Sequence, residues 1–176
     1  MALFTSHAAL RAVAQATRRL MEAGEIRVLA QGEDGPPRRL LEEFQENPKT
    51  VLLGTASFWE GVDLAGEALQ VLVLARLPFD VPTEPVFAAR SALYDDPFER
   101  YALPQAVLRF KQGFGRLIRS KRDRGVVAVL DRRIVSKRYG AAFLESIPSC
   151  ALREVLLREM PDLVEAWLVP QPVSTA

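Results

Sequence analysis

Apolar positions along the chain follow two alternating periods. Short apolar runs at 1–6, 26–29, 49–54, 69–75 and 126–130 are strand candidates, and LQVLVLA (69–75) and VVAVL (126–130) carry the strongest signal because no charge interrupts them. Between these runs the spacing switches to three and four residues. In 7–24 the stripe is Leu10, Val13, Ala14, Thr17 and Leu20 or Met21, with Gly24 as its stop. In 104–119 it is Val107, Phe110, Phe114, Leu117 and Ile118, and Pro104 suits a first helical position. Shorter helices are expected at 38–46, 84–93, 137–147 and 152–160. The last of these would bury Leu152, Val155, Leu156 and Met160, and Pro161 would end it.

Strands separated by helices predict an α/β fold with a mostly parallel sheet covered on both faces. The uninterrupted Val51, Leu52 and Leu53 fit a strand buried on both sides. Residues 76–96 are rich in turn signals at Pro78, Pro82 and Pro85. Phe79 and Phe98 nearby are read first as packing residues and second as base-stacking ones. No linker separates a second domain, so 1–165 is expected to be one domain and 166–176 a frayed tail.

Composition narrows the chemistry. With 176 residues, 49% of them apolar, the chain is long enough for one full core. Cys150 is the single cysteine and His7 the single histidine, which points away from a disulfide or a metal held by this chain's own side chains. No apolar run is long enough to span a membrane and no secretory leader is recognisable, so a cytoplasmic protein without a membrane partner is expected. The net charge of +1 hides a basic region: 109–138 holds eleven Lys or Arg against two Asp. Such a local field favours phosphates, of a nucleotide or of nucleic acid.

The 104–119 helix carries the sharpest candidate site. Gln105, Arg109, Gln112, Arg116 and Arg119 fall opposite the apolar stripe, and guanidinium forks match phosphate oxygens. Gly113 and Gly115 are costly inside a helix and point to close approach by another backbone or a ligand. A solvated basic helix face is the plainer reading of the same spacing. A second candidate is GTASFWEGVDLAG at 54–66. It follows a buried-strand run, where ligands enter open α/β sheets, and contains Asp63, Gly61, Glu60 and Trp59. Neither GxGxxG nor GxxxxGK[ST] occurs, so a bound nucleotide would need another domain to hold most of it.

Taken together, TASFWEGVDLAG (55–66), QGFGRLIR (112–119) and LFTSHAALR (3–11) resemble motifs V, VI and IV of the second RecA-like motor domain of XPD/DinG-type superfamily 2 DNA helicases. LPF (77–79), DPFERYALPQAVLRFKQ (96–112), DRGVVAVLDRR (123–133) and YGAAFLESIP (139–148) extend the likeness over about 3–148. The resemblance implies a RecA-like domain without its own phosphate loop. Its catalytic residues would be Arg119 as arginine finger, Arg116 as a phosphate or interdomain contact, and Gln112 positioning water or a phosphate oxygen. Asp63, Gly61 and Glu60 would lie toward the nucleotide. Thr5, Ser6, Thr55, Ser57 and Trp59 would line a single-stranded DNA track.

The resemblance further implies ATP with Mg2+, held mainly by a first RecA-like motor domain, and 5′ to 3′ translocation along single-stranded DNA. The Walker A lysine, the acidic box and any iron–sulfur cysteines are not in this sequence and belong to that first domain in the family pattern. The chain is accordingly expected to be an excised carboxy-terminal half, inactive alone. In the family pattern a tyrosine often stands where His7 does. The alternative is a catalytically silent nucleic-acid-binding or partner-docking module with the same fold. A free-standing metabolic enzyme lacks any self-contained nucleophile and base or cofactor loop here.

Overall fold

The strands form one five-stranded parallel sheet in the order β2-β3-β1-β4-β5, as a computed structural model of the chain describes it. Residues 1–21, 24–55, 58, 69–118 and 124–169 are described, the side chain of Arg116 excepted. The strands are β1 (Ala2–Leu3), β2 (Arg27–Ala30), β3 (Thr50–Gly54), β4 (Val71–Leu74) and β5 (Val126–Val129). Each lies within an expected apolar run or one residue beyond it, and β1 is much shorter than 1–6. It sits in the centre, with Ala2 opposite Leu53 on one side and Val73 on the other.

The alternation along each strand sends successive residues to opposite faces. Leu3, Leu29, Leu52, Leu72 and Leu74 face one side. There they meet Leu40 and Phe44 of α2 (Pro37–Glu46), Ala106, Phe110 and Leu117 of α4 (Leu103–Leu117), and Phe143 of α6 (Gly140–Glu145). Val28, Ala30 and Leu53 face the other side, against Leu10 and Ala14 of α1 (His7–Met21). The α1 stripe is narrower than its spacing predicts. Leu10 and Ala14 are buried and Met21 packs, but Val13 and Leu20 are exposed. Beyond α1 the left-handed backbone angle falls at Glu25 (φ 56°) rather than at Gly24.

Between β4 and β5 the chain makes α3 (Pro85–Ser91), a π-helical turn (Phe98–Ala102) and α4. Glu84 caps α3 by accepting the Val86 and Phe87 N–H groups, and Asp96 does the same for Glu99. Phe79 stacks on Phe98 and meets Tyr139 and Phe143 edge-on, so the packing reading holds for both phenylalanines.

After β5 the structure departs from the periodicity. The expected 137–147 helix is two pieces, α5 (Arg133–Ser136) and α6. Gly140 joins them because a Cβ there would lie 2.0 Å from the Ile134 carbonyl oxygen. The 152–160 helix is not formed. Leu152 and Leu156 are 57% and 55% exposed, because no surface of the sheet is within reach to bury them. Instead a short 3-10 turn (Leu157–Glu159) leads into α7 (Met160–Leu168), which contains Pro161 in its first turn. Proline's missing N–H would be unpaired at that position anyway, so the expected stop is a start. Residues 170–176 lie outside the described residues.

Candidate nucleotide and nucleic-acid faces

The sequence-predicted site residues divide between the two edges of the sheet. At the carboxyl edge, Thr5 and Ser6 follow β1 and both are exposed. Ser6 Oγ accepts the Ala9 N–H at 3.2 Å, so it caps α1, as a serine preceding a helical stripe is expected to do. Thr55 follows β3 and is buried. Its N–H (2.7 Å) and its hydroxyl (3.0 Å) both donate to Gln31 Oε1, from the loop after β2. This ties the ends of two neighbouring strands together, and the Thr55 side chain is covered by the chain itself.

Gly54 has a specific reason to be glycine. A Cβ there would lie 2.7 Å from the Phe58 ring, which is buried and whose N–H donates to the Thr55 carbonyl at 2.9 Å. The turn out of β3 is thus tightened onto the core. Ser57, Trp59, Glu60, Gly61 and Asp63 lie outside the described residues. On the same edge, Arg18 of α1 pairs with Glu33 at 2.6 Å and with Asp34 at 2.5 Å, and Asp34 accepts the Ala30 N–H. The bond to Glu33 outweighs the cost of partial burial and raises the Arg18 pKa.

Helix α4 runs antiparallel to the strands. It begins near the carboxyl end of β4, where Arg109 pairs with Asp80 at 2.6 Å. It ends at the amino edge, where Leu117 packs over Gly125 and close to the Gln70 carbonyl. The apolar stripe is as its spacing predicts: Phe110, Phe114 and Leu117 are buried, and Val107 and Ile118 pack against them. The polar face is less uniform than expected. Arg109 is only 22% exposed and neutralised by Asp80, so it belongs to a packed ion pair rather than to a solvated basic face.

Gln112 is exposed in the carboxyl half of α4. Gly115, three residues on, is exposed too, and a Cβ there would meet nothing within 4 Å. Whatever close approach this glycine serves does not come from the described part of the chain. Arg116 continues the helix backbone, its side chain outside the described residues, as is Arg119. Helical spacing still puts Gln112, Gly115, Arg116 and Arg119 on one strip, toward the edge opposite Thr5, Ser6 and Thr55.

A third feature was legible only as the end of a strand. Asp131 accepts the Leu77 N–H at 3.0 Å, the Arg133 N–H at 3.0 Å, and a two-pronged contact from the Arg133 guanidinium, with Nη2 at 2.6 Å. Burial opposes its charge, but Arg133 and the Leu77 N–H prevail and hold its pKa at about 2. Arg133 in turn lies 5.5 Å from the centre of the Phe79 ring. The group locks the carboxyl ends of β4 and β5. The DRR triplet closing the last apolar run is the signal that marks it. Among the described residues no three His, Cys, Asp or Glu side chains gather as a metal site, and no helix is long and apolar enough to cross a membrane.

A parallel sheet with its own helices, no phosphate loop, and an uncovered polar strip on the helix before its last strand is the arrangement of a motor half. The family model described as the helicase C-terminal domain matches residues 1–150, and the chain belongs to that family. It is 42% identical over 167 residues to the Bacillus subtilis (strain 168) protein named 3'-5' exonuclease DinG, covering 92% of this chain and 18% of the relative. It is 43% identical over 150 residues to the ATP-dependent DNA helicase YoaA of Escherichia coli (strain K12), covering 83% of this chain and 23% of the relative. Against the ATP-dependent helicase DinG of Mycobacterium tuberculosis (strain ATCC 25618 / H37Rv) the identity is 40% over 150 residues, 83% and 22% of the two chains. The chain therefore spans about a fifth of the length of the curated relatives it matches.

Proposed function

We propose that this chain is the second motor domain of an ATP-dependent DNA helicase. In this role it supplies an arginine finger and part of a single-stranded DNA track to a cleft shared with a first RecA-like domain. The observation that carries the reading is the open strip of α4, with Gln112 exposed and Gly115 facing empty space, on a domain of the helicase C-terminal family. A basic, uncovered helix side fits a phosphate-bearing ligand held by another domain. It offers donors, and its glycine leaves room for a partner surface.

ATP with Mg2+ would bring the transferable γ-phosphoryl group, held mainly by the first domain. Arg119 would then place its guanidinium against the developing charge only when the two domains close, which ties hydrolysis to movement. Arg116 would contact phosphate or the facing domain, and Gln112 would orient water or a phosphate oxygen. Asp63, Gly61 and Glu60 would lie on the nucleotide side of the segment after β3. Thr5, Ser6, Ser57 and Trp59 would follow the DNA strand, with Thr55 fixing the start of that segment through Gln31. Having the two groups on opposite sheet edges supports such a division of labour, because opening and closing at one edge can move a strand held at the other. Translocation from 5′ to 3′ completes the proposal.

The test joins the chain to its missing first domain and measures DNA-stimulated ATP hydrolysis. Arg119→Ala should lower kcat by about a thousandfold, and the 176-residue chain alone should show negligible turnover. Unchanged hydrolysis in Arg119→Ala, with DNA binding intact, would favour a silent binding module instead.

A further inference from the structure

The segment bearing Arg119 is short and anchored at both ends. Upstream, the Ile118 N–H donates to the Phe114 carbonyl at 3.2 Å, and Leu117 is buried over Gly125. Downstream, the first described residue is Arg124, two residues before β5. Its guanidinium lies 5.4 Å from the centre of the Trp167 ring, and its Nη2 donates to the Trp167 carbonyl at 3.0 Å. One residue of α7 therefore holds Arg124 in two ways, through its ring and through its backbone. Neither contact alone would fix the direction of a long side chain, but the two together do.

Helix α7 lies beyond the residues 1–150 that match the family. It crosses the face of β4 and β5 that α1 does not reach, over Val71, Val73 and Ala128. None of its residues is fully buried. Its attachment rests on the partly covered Met160, Val164 and Leu168, which line an open apolar groove of about 700 Å³, and on the Arg124 contact at its far end. A helix so lightly held is poorly explained as core. It is well explained as a brace whose last turn meets the chain where the arginine segment re-enters the sheet.

We propose that Trp167 is a positioning residue: by holding Arg124 it fixes the downstream end of the segment that carries Arg119. This rests on the reading of Arg119 given under Proposed function, but the brace itself can be measured apart from it. Arg124 is thereby distinguished from the other basic residues of 109–138, since its charge is committed within the chain rather than offered to a phosphate.

Amide hydrogen exchange on the 176-residue chain tests the brace. Trp167→Ala and Arg124→Ala should each speed exchange at Ile118, Arg124 and Gly125 by about tenfold, with α1 and β3 unchanged, while Trp167→Phe keeps most of the protection. Arg124→Ala leaves the apolar side of α7 intact, so it separates the brace from loss of the helix. In the complete helicase, Trp167→Ala should lower kcat with KM for ATP unchanged, and Trp167→Phe should restore it. Unaltered exchange in both alanine variants overturns the proposal. So does unaltered kcat in a protein whose Arg119→Ala variant is inactive. If Arg119→Ala itself retains turnover, the helicase reading fails, and the exchange result alone decides whether Trp167 braces the segment.

Discussion

Asp131 Oδ2 accepts the backbone N–H of Leu77 at 3.0 Å, joining residues 54 positions apart across the carboxyl ends of β4 and β5. Arg133 closes on the same carboxylate, so one acidic side chain satisfies a strand exit, a helix start and a guanidinium. The edge from which α3 and α5 depart is set by this group.

Asp131→Asn should destabilise the chain by about 1.5–3 kcal/mol, the range for a hydrogen bond to a charged group. The pH dependence has a definite sign. The folded pKa of about 2 lies below the ordinary 3.8, so the stabilisation is full above about pH 4 and is lost as pH falls toward 2. Urea titrations of both proteins between pH 2 and 6 check this. A gap that persists undiminished at pH 2 would show that the carboxylate charge is not its source.

Two glycines should respond oppositely to alanine. Gly115→Ala fills open space on a helix and should stabilise the isolated chain by about 0.5–1 kcal/mol. Gly140→Ala would press on the Ile134 carbonyl and should cost about 1–3 kcal/mol. Thermal melts of the two variants give the comparison. In the complete helicase Gly115→Ala is expected to slow ATP hydrolysis, since the room it fills is the room a partner needs.

The Arg109 and Asp80 pair is partly buried, so it should be worth more than a surface ion pair. A double-mutant cycle with Arg109→Met and Asp80→Asn should return a coupling of about 1 kcal/mol that survives 0.5 M salt, whereas exposed pairs return less and lose it. A coupling near zero would return Arg109 to the solvated face.

The eleven basic residues in 109–138 predict weak, salt-sensitive binding of single-stranded DNA by this chain. Fluorescence titration should show affinity falling by about tenfold or more between 50 and 200 mM salt. Absence of binding at 50 mM would remove the chain's own contribution to a DNA track.

Much of this architecture is written in local period. Five apolar runs became five strands, and Val107, Phe110, Phe114, Leu117 and Ile118 became a packed stripe, because hydrophobic burial acts on whichever face repeated spacing creates. The motifs at 3–11, 55–66 and 112–119 likewise pointed to the family before any fold was known. Folding in three dimensions decided what local spacing does not encode. Arg109 left the basic face because Asp80, 29 residues earlier, lies beside it. Pro161 began a helix rather than ending one, and Leu152 and Leu156 stayed exposed, because burial requires a facing surface that no spacing supplies. The Gln31 bonds to Thr55 and the hold of Trp167 on Arg124 have the same origin: each joins groups far apart in sequence whose meeting follows only from how strands and helices are stacked.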